Sequence, residues 1–120
     1  MAPKIILVIE DDDSIRELLV ELLQSEGYQV ASASNGLEGL KYLESHENPD
    51  LILMDLMMPV MDGYAFRAEQ MNNTKWSEIP LVVMSAEAGA KEKLKKYDVN
   101  AFLSKPVELE TILKTVEKFS

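Results

Sequence analysis

Cysteine is absent from this chain, which excludes a disulfide framework and any thiolate metal site and fits a reducing compartment. Histidine occurs once, as His46 near the end of an amphipathic stretch, too solitary for a metal site and expected at the surface. Positive charge is in deficit: 12 Lys and Arg stand against 21 Asp and Glu, a net charge of −9. A nucleic-acid-binding surface needs the opposite balance, so no such contact is expected through this domain. Apolar runs are short. None approaches the ~18 residues of a membrane span, and Met1-Ala2-Pro3-Lys4 leads straight into strand-like sequence with no secretion signal. No membrane insertion is expected, and the cytoplasm is the default location. Repeats, low-complexity tracts and linkers are also missing. The chain therefore reads as one domain over 1–120, large enough to bury roughly two-thirds of its unfolded surface.

What the chain does have is alternation between short apolar runs and helical patterns. Lys4 to Ile9 is β-branched and apolar and reads as a buried strand. After Glu10-Asp11-Asp12-Asp13, Ser14 is placed to cap a helix whose Ile15, Leu18, Leu19, Leu22 and Leu23 repeat on one face. Gly27 stops it, and Tyr28 to Ala33 is a weaker strand anchored by Val30. Asn35-Gly36 signals a turn before a helix with Leu37, Leu40 and Leu43 inward. Leu51 to Asp55 is a strand apolar enough to be buried on both faces. A weakly patterned helix follows from about Tyr64 to Met71, then the buried run Leu81 to Met84. Lys91 to Lys96 suggests a short basic helix, Ala101 to Leu103 a last strand, and Glu108 to Lys118 a closing helix with Leu109, Ile112, Leu113 and Val116 inward. Strand and helix thus alternate five times. Right-handed crossovers then imply an α/β fold, a parallel sheet with helices on both faces, whose commonest five-stranded order is 2-1-3-4-5.

That order places polar residues together at the carboxyl edge of the sheet, where open α/β sheets carry their chemistry. The first strand ends in Glu10 and Asp11, the third in Asp55, the fourth in Ser85 and the fifth in Lys105. Clustered carboxylates resist ionising unless a cation compensates them. Oxygen ligands without His or Cys suit a hard ion, and a few carboxylates with water suit Mg²⁺. A divalent ion, an ammonium and a hydroxyl around one carboxylate form a receptor for a phosphoryl group, with Asp55 as nucleophile.

On these residues the chain resembles the receiver domain of two-component response regulators, the CheY-like or flavodoxin-like fold. The carrying motifs are Val8-Ile9-Glu10-Asp11-Asp12, Asp55-Leu56-Met57-Met58-Pro59 with Met61-Asp62-Gly63, Met84-Ser85-Ala86, and Leu103-Ser104-Lys105-Pro106. That family is itself an example of the 2-1-3-4-5 order, so strand order and resemblance are a single inference. The resemblance implies that Asp55 takes phosphate from a phosphohistidine on a histidine kinase or histidine phosphotransfer protein. It implies that Asp11 binds Mg²⁺ directly, Glu10 through water, and Met57 through its backbone carbonyl. Ser85 matches the switch hydroxyl, Lys105 the phosphate-pairing lysine before a cis Pro106, and Phe102 the switch aromatic. The implied output is a change of downstream protein contacts, with self-catalysed gain and loss of phosphate and no other enzymatic activity. Met57 and Glu87 fall on the two variable positions that tune phosphate loss in similar proteins. The interval from Ser85 to Lys105 is shorter than that family's pattern, which makes the fourth helix the altered element.

Plainer explanations exist for each residue alone. Glu10 to Asp13 is also a favourable acidic helix start, and Asp55 also suits a turn after a strand. Asp12 and Asp13 fit capping or solvent better than metal binding. Met54 suits core filling, since thioethers prefer soft ions. Lys91, Lys93, Lys95 and Lys96 fit a solvated face or a docking patch. A haloacid-dehalogenase-type phosphatase usually carries a second Asp two residues after its nucleophile, where this chain has Met57. A docking module that ignores phosphate has no need of the full acid, hydroxyl and lysine set.

Overall fold

Each of the five apolar runs forms a strand, and each amphipathic stretch forms a helix. In the computed structural model, which describes residues 2–120, the elements alternate along the chain. They are β1 (Ile5–Ile9), α1 (Asp13–Ser25), β2 (Gln29–Ala33), α2 (Gly36–Ser45), β3 (Leu51–Asp55) and α3 (Gly63–Met71). Then come β4 (Leu81–Ser85), α4 (Ala90–Lys93), a 3₁₀ turn (Leu94–Tyr97), β5 (Ala101–Ser104) and α5 (Leu109–Phe119). Met1, the first residue of the N-terminal stretch searched for a signal, lies outside the described residues.

All pairings are parallel, in the order β2-β1-β3-β4-β5. Alternate residues of each strand serve opposite faces. Ile6, Val8, Leu51, Leu53, Val82 and Met84 pack with Leu19 and Leu23 of α1 and Ile112 and Val116 of α5. Leu7, Ile9, Ile52, Met54, Leu81 and Val83 pack with Leu40 and Leu43 of α2, Phe66 of α3, and Ala90 and Leu94. Because β1, β3 and β4 are covered on both sides, their sequences are continuous apolar runs. Among the described residues no helix is long and apolar enough to cross a membrane.

Several side chains depart from the sequence expectation. Asp12, not Ser14, caps α1, its carboxylate accepting the Ile15 N–H at 2.9 Å. Ile15 (38 % exposed), Leu18 (49 %) and Leu109 (43 %) do not reach the core. They line an open apolar groove of about 370 Å³ between α1 and α5, because the apolar stripes are wider than the strip of helix that meets the sheet. Leu37 is likewise outward, and the glycines of α2 face in. A Cβ on Gly39 would lie 2.6 Å from Ile9 Cδ1 and 3.1 Å from Phe66 Cε2, so α2 approaches β1 too closely for a larger residue. Val30 is only half-buried, and Ala33 is the buried residue of β2. The lysine-rich helix is one turn of α-helix and one of 3₁₀, with Ala90 and Leu94 inward and the four lysines exposed.

Candidate functional site

Register brings the acids together before any side chain is considered. Ile9 lies beside Met54 and Asp55 beside Met84, so the residue after β1 falls next to the last residue of β3. Carboxylate oxygens of Glu10, Asp11 and Asp55 all lie within 4.8 Å of one another. On the other side, Ser85 pairs with Ser104, and the Lys105 N–H donates to Ser85 O at 2.9 Å. The chain then turns through the cis Lys105–Pro106 bond. Lys105 Nζ reaches back across β4 to lie 3.1 Å from Asp55 Oδ1 and 3.4 Å from Glu10 Oε1.

Glu10 and Asp55 are buried, whereas Asp11 is exposed at the rim. Burial pushes the Glu10 carboxyl above its ordinary range; the Asp12 N–H works against that, and the Asp55 charge adds to it. Burial also raises Asp55, against the bond and charge of Lys105. Lys105 is pulled down by burial, but the carboxylates of Asp55 and Glu10 outweigh this and hold its ammonium above the usual value. One ammonium therefore does not neutralise the pocket. Negative charge left uncompensated among oxygen donors is what a hard divalent cation compensates, so the residues present fit Mg²⁺.

Local interactions hold the shell in place. Glu10 Oε2 accepts the Asp12 N–H at 3.1 Å, and Arg16 donates to the Glu10 carbonyl at 2.9 Å. Arg16 also pairs with the exposed Asp13. The loop after β3 is pinned at both ends: Gly63 N–H donates to Leu56 O at 2.7 Å and Gly36 N–H to Met61 O at 3.0 Å. Within it Val60 has φ +68°, an unfavourable conformation for a β-branched residue. Met57 projects its thioether to the surface at 53 % exposure, two residues beyond Asp55, while Met54 lies wholly in the core. Ser85 is buried, its Oγ accepting the Glu87 N–H at 2.9 Å. Phe102 pairs with Val83 and so shares a face with Ser85, half-buried against the cluster under α4.

The fold therefore gathers Glu10, Asp11, Asp55 and Lys105 at one point, with Ser85 on the adjoining strand end. Met57 follows Asp55 by two residues with its side chain exposed, and Phe102 lies one step behind Ser85. Residues that pattern alone passed over are Tyr64 and Arg67. The Tyr64 hydroxyl donates to Glu87 Oε1 at 2.7 Å, and the buried Arg67 donates to the carbonyls of Tyr97 and Asp98. Neither leaves a signal in the sequence beyond sitting in a weakly apolar helix. His46 caps the end of α2 in the open, its ring stacked on Tyr42 at 4.1 Å.

Comparison with known proteins agrees with this geometry. The family model described as the response regulator receiver domain matches residues 6–117. Protein PilH of Pseudomonas aeruginosa is 32% identical over 113 residues, covering 92% of this chain and 93% of PilH. The probable transcriptional regulator ycf29 of Pyropia yezoensis is 34% identical over 113 residues, but the match covers 92% of this chain and only 50% of that protein. The chain thus spans about half of some curated relatives and nearly all of others. Among solved structures, the response regulator TrrA of Thermotoga maritima in complex with Mg(2+)-BeF superposes with a TM-score of 0.86. It is 32% identical, with 98% of this chain and 99% of that one covered. Five parallel strands in one order, an acid cluster on their carboxyl edge and a family match over nearly the whole length converge: the chain belongs to the response regulator receiver domain family, the signalling domains of two-component phosphorelays.

Proposed function

We propose that Asp55 is the phosphoryl acceptor of this receiver domain. A carboxylate oxygen of Asp55 attacks the phosphorus of a phosphohistidine on a histidine kinase or phosphotransfer protein. The new O–P bond forms as the N–P bond breaks, and the imidazole leaves with that electron pair and takes up a proton. Lys105 neutralises a phosphoryl oxygen, and Ser85 donates its hydroxyl to another. The acidic pair Glu10 and Asp11, with Asp55 and the Met57 carbonyl, would hold Mg²⁺. When bound, the ion compensates charge on the acids and on the phosphoryl oxygens. Ser85 and Phe102 then shift together, changing the face around α4 and β5 that a downstream protein reads.

The observation that carries this proposal is the position of Lys105 Nζ, 3.1 Å from Asp55 and 3.4 Å from Glu10. The acids keep this lysine charged at the acceptor, where its ammonium is placed to meet a phosphoryl oxygen on Asp55. Incubation with a small acyl phosphate and Mg²⁺ tests it. Acid-stable, base-labile phosphate is expected at one per chain, and none on Asp55→Asn. Continuous release of many phosphates from a substrate would instead favour a phosphatase. Absence of labelling would favour a docking module.

A further inference from the structure

Tyr64 stands in the first turn of α3, and Glu87 stands two residues beyond the switch hydroxyl Ser85. The phenol donates to Glu87 Oε1 at 2.7 Å, and the same oxygen lies 3.5 Å from Lys93 Nζ. The backbone N–H of Glu87 meanwhile donates to Ser85 Oγ at 2.9 Å. Glu87 is therefore tied to α3 by its side chain and to Ser85 by its main chain. The carboxyl is held below its ordinary range by the Tyr64 bond, with Lys93 adding to it, so the phenol meets a carboxylate and the bond is charge-assisted.

The rest of the β4–β5 connection depends on the same helix. The Tyr64 ring leans on the Tyr97 ring with centroids 5.4 Å apart. Three residues along α3, on the same face, Arg67 donates to Tyr97 O at 2.9 Å and to Asp98 O at 2.6 Å. Between these two points the connection has only a four-residue α4 and one 3₁₀ turn, bounded by left-handed Gly89 (φ +77°) and Asp98 (φ +52°). So little helix cannot hold itself in one conformation, and the ties to α3 supply what it lacks.

We propose that Tyr64 is a positioning residue for the switch: its hydroxyl latches Glu87 to α3 and so holds Ser85 in the resting arrangement. Ser85 cannot swing its Oγ toward Asp55 without either releasing the Glu87 N–H or carrying Glu87 with it, and the second route breaks the phenol–carboxylate bond. The latch therefore opposes completion of the phosphoryl pocket. The inference rests on Asp55 being the acceptor.

Beryllofluoride with Mg²⁺, titrated calorimetrically into the whole chain, probes that pocket, and amide hydrogen exchange at Glu87 without the probe reports the latch itself. Tyr64→Phe removes only the hydroxyl and keeps the ring against Tyr97. Beryllofluoride is expected to bind it about threefold more tightly than the parent, the scale of a partly exposed charge-assisted bond. The Glu87 amide is expected to exchange faster. Glu87→Ala should give a similar gain, and Tyr64→Phe added to it should give no more, a coupling that a purely structural tyrosine does not produce. Unchanged affinity in Tyr64→Phe, or full additivity of the two changes, overturns the latch. A parent that takes no beryllofluoride overturns Asp55 as acceptor instead. In that event the Glu87 amide decides the latch alone, faster exchange upholding it and unchanged exchange overturning it.

Discussion

Replacing the proposed acceptor should make the resting protein more stable. Asp55 Oδ1 lies 3.1 Å from Lys105 Nζ, an attraction of about 5 kcal/mol at an effective dielectric near 20. Against this, oxygens of Glu10 and Asp11 lie within 4.8 Å, and each repels it by about 3.5 kcal/mol on the same scale. Solvent at the exposed Asp11 weakens its share. The balance is a net repulsion near 1 kcal/mol, to which burial of the Asp55 charge adds. Asparagine keeps an oxygen for Lys105 and removes the charge. Asp55→Asn is therefore expected to gain about 1–2 kcal/mol at pH 7 without divalent ion, or about 5 °C in Tm for a chain of this length. The pH dependence follows from the raised Asp55 and Glu10 values. The folded chain holds protons that the unfolded chain releases, so its stability falls as pH rises from the ordinary values of 3.8 and 4.5 through the raised ones. That deficit persists at neutral pH. The gain from Asp55→Asn should accordingly be full at pH 7, shrink as pH falls through the raised Asp55 value and vanish below the ordinary 3.8, and Mg²⁺ should narrow it by stabilising the parent. Thermal unfolding by circular dichroism in chelator, at both pH values, measures it. A variant equal to or less stable than the parent at pH 7 would refute the charge accounting.

Two further outcomes are expected. The Met57 thioether cannot orient an attacking water as an amide can, so the phosphorylated parent should hold its phosphate longer than Met57→Asn; phosphate release from both proteins checks this, and equal or faster loss from the parent contradicts it. Arg67→Met removes the donor to the part-buried Tyr97 and Asp98 carbonyls and to the buried Gln70 side chain and should cost about 1–3 kcal/mol in urea unfolding, with exchange of the 94–98 amides rising most; a loss under half a kcal/mol would mean water replaces the guanidinium without penalty.

Five strands and the helices between them were legible because burial on both faces demands continuous apolar runs, and packing on one face demands helical periodicity. The acids were legible for a related reason. A charged residue that ends a buried strand has nowhere to go but the sheet edge, so Glu10, Asp11 and Asp55 declared their position together. Side-chain direction was less legible. Ile15, Leu18, Leu37 and Leu109 matched helical spacing but stayed exposed, because spacing defines a stripe and only close neighbours define how much of it is covered. The glycines of α2 carried no apolar signal, although closeness to β1 and Met61 is what requires them.

Sequence alone, then, determined the elements, their order and the chemistry on offer at the strand ends, because each follows from local pattern and chain connectivity. Only the tertiary structure decided which of those groups meet. Lys105 comes to within 3.1 Å of Asp55 from the edge strand β5, and Tyr64 meets Glu87 across 23 residues of chain. Such contacts depend on register, twist and the reach of long side chains. None of these is written in the spacing of residues along the chain, since a distance in space is set by how elements pack and not by how many residues separate them.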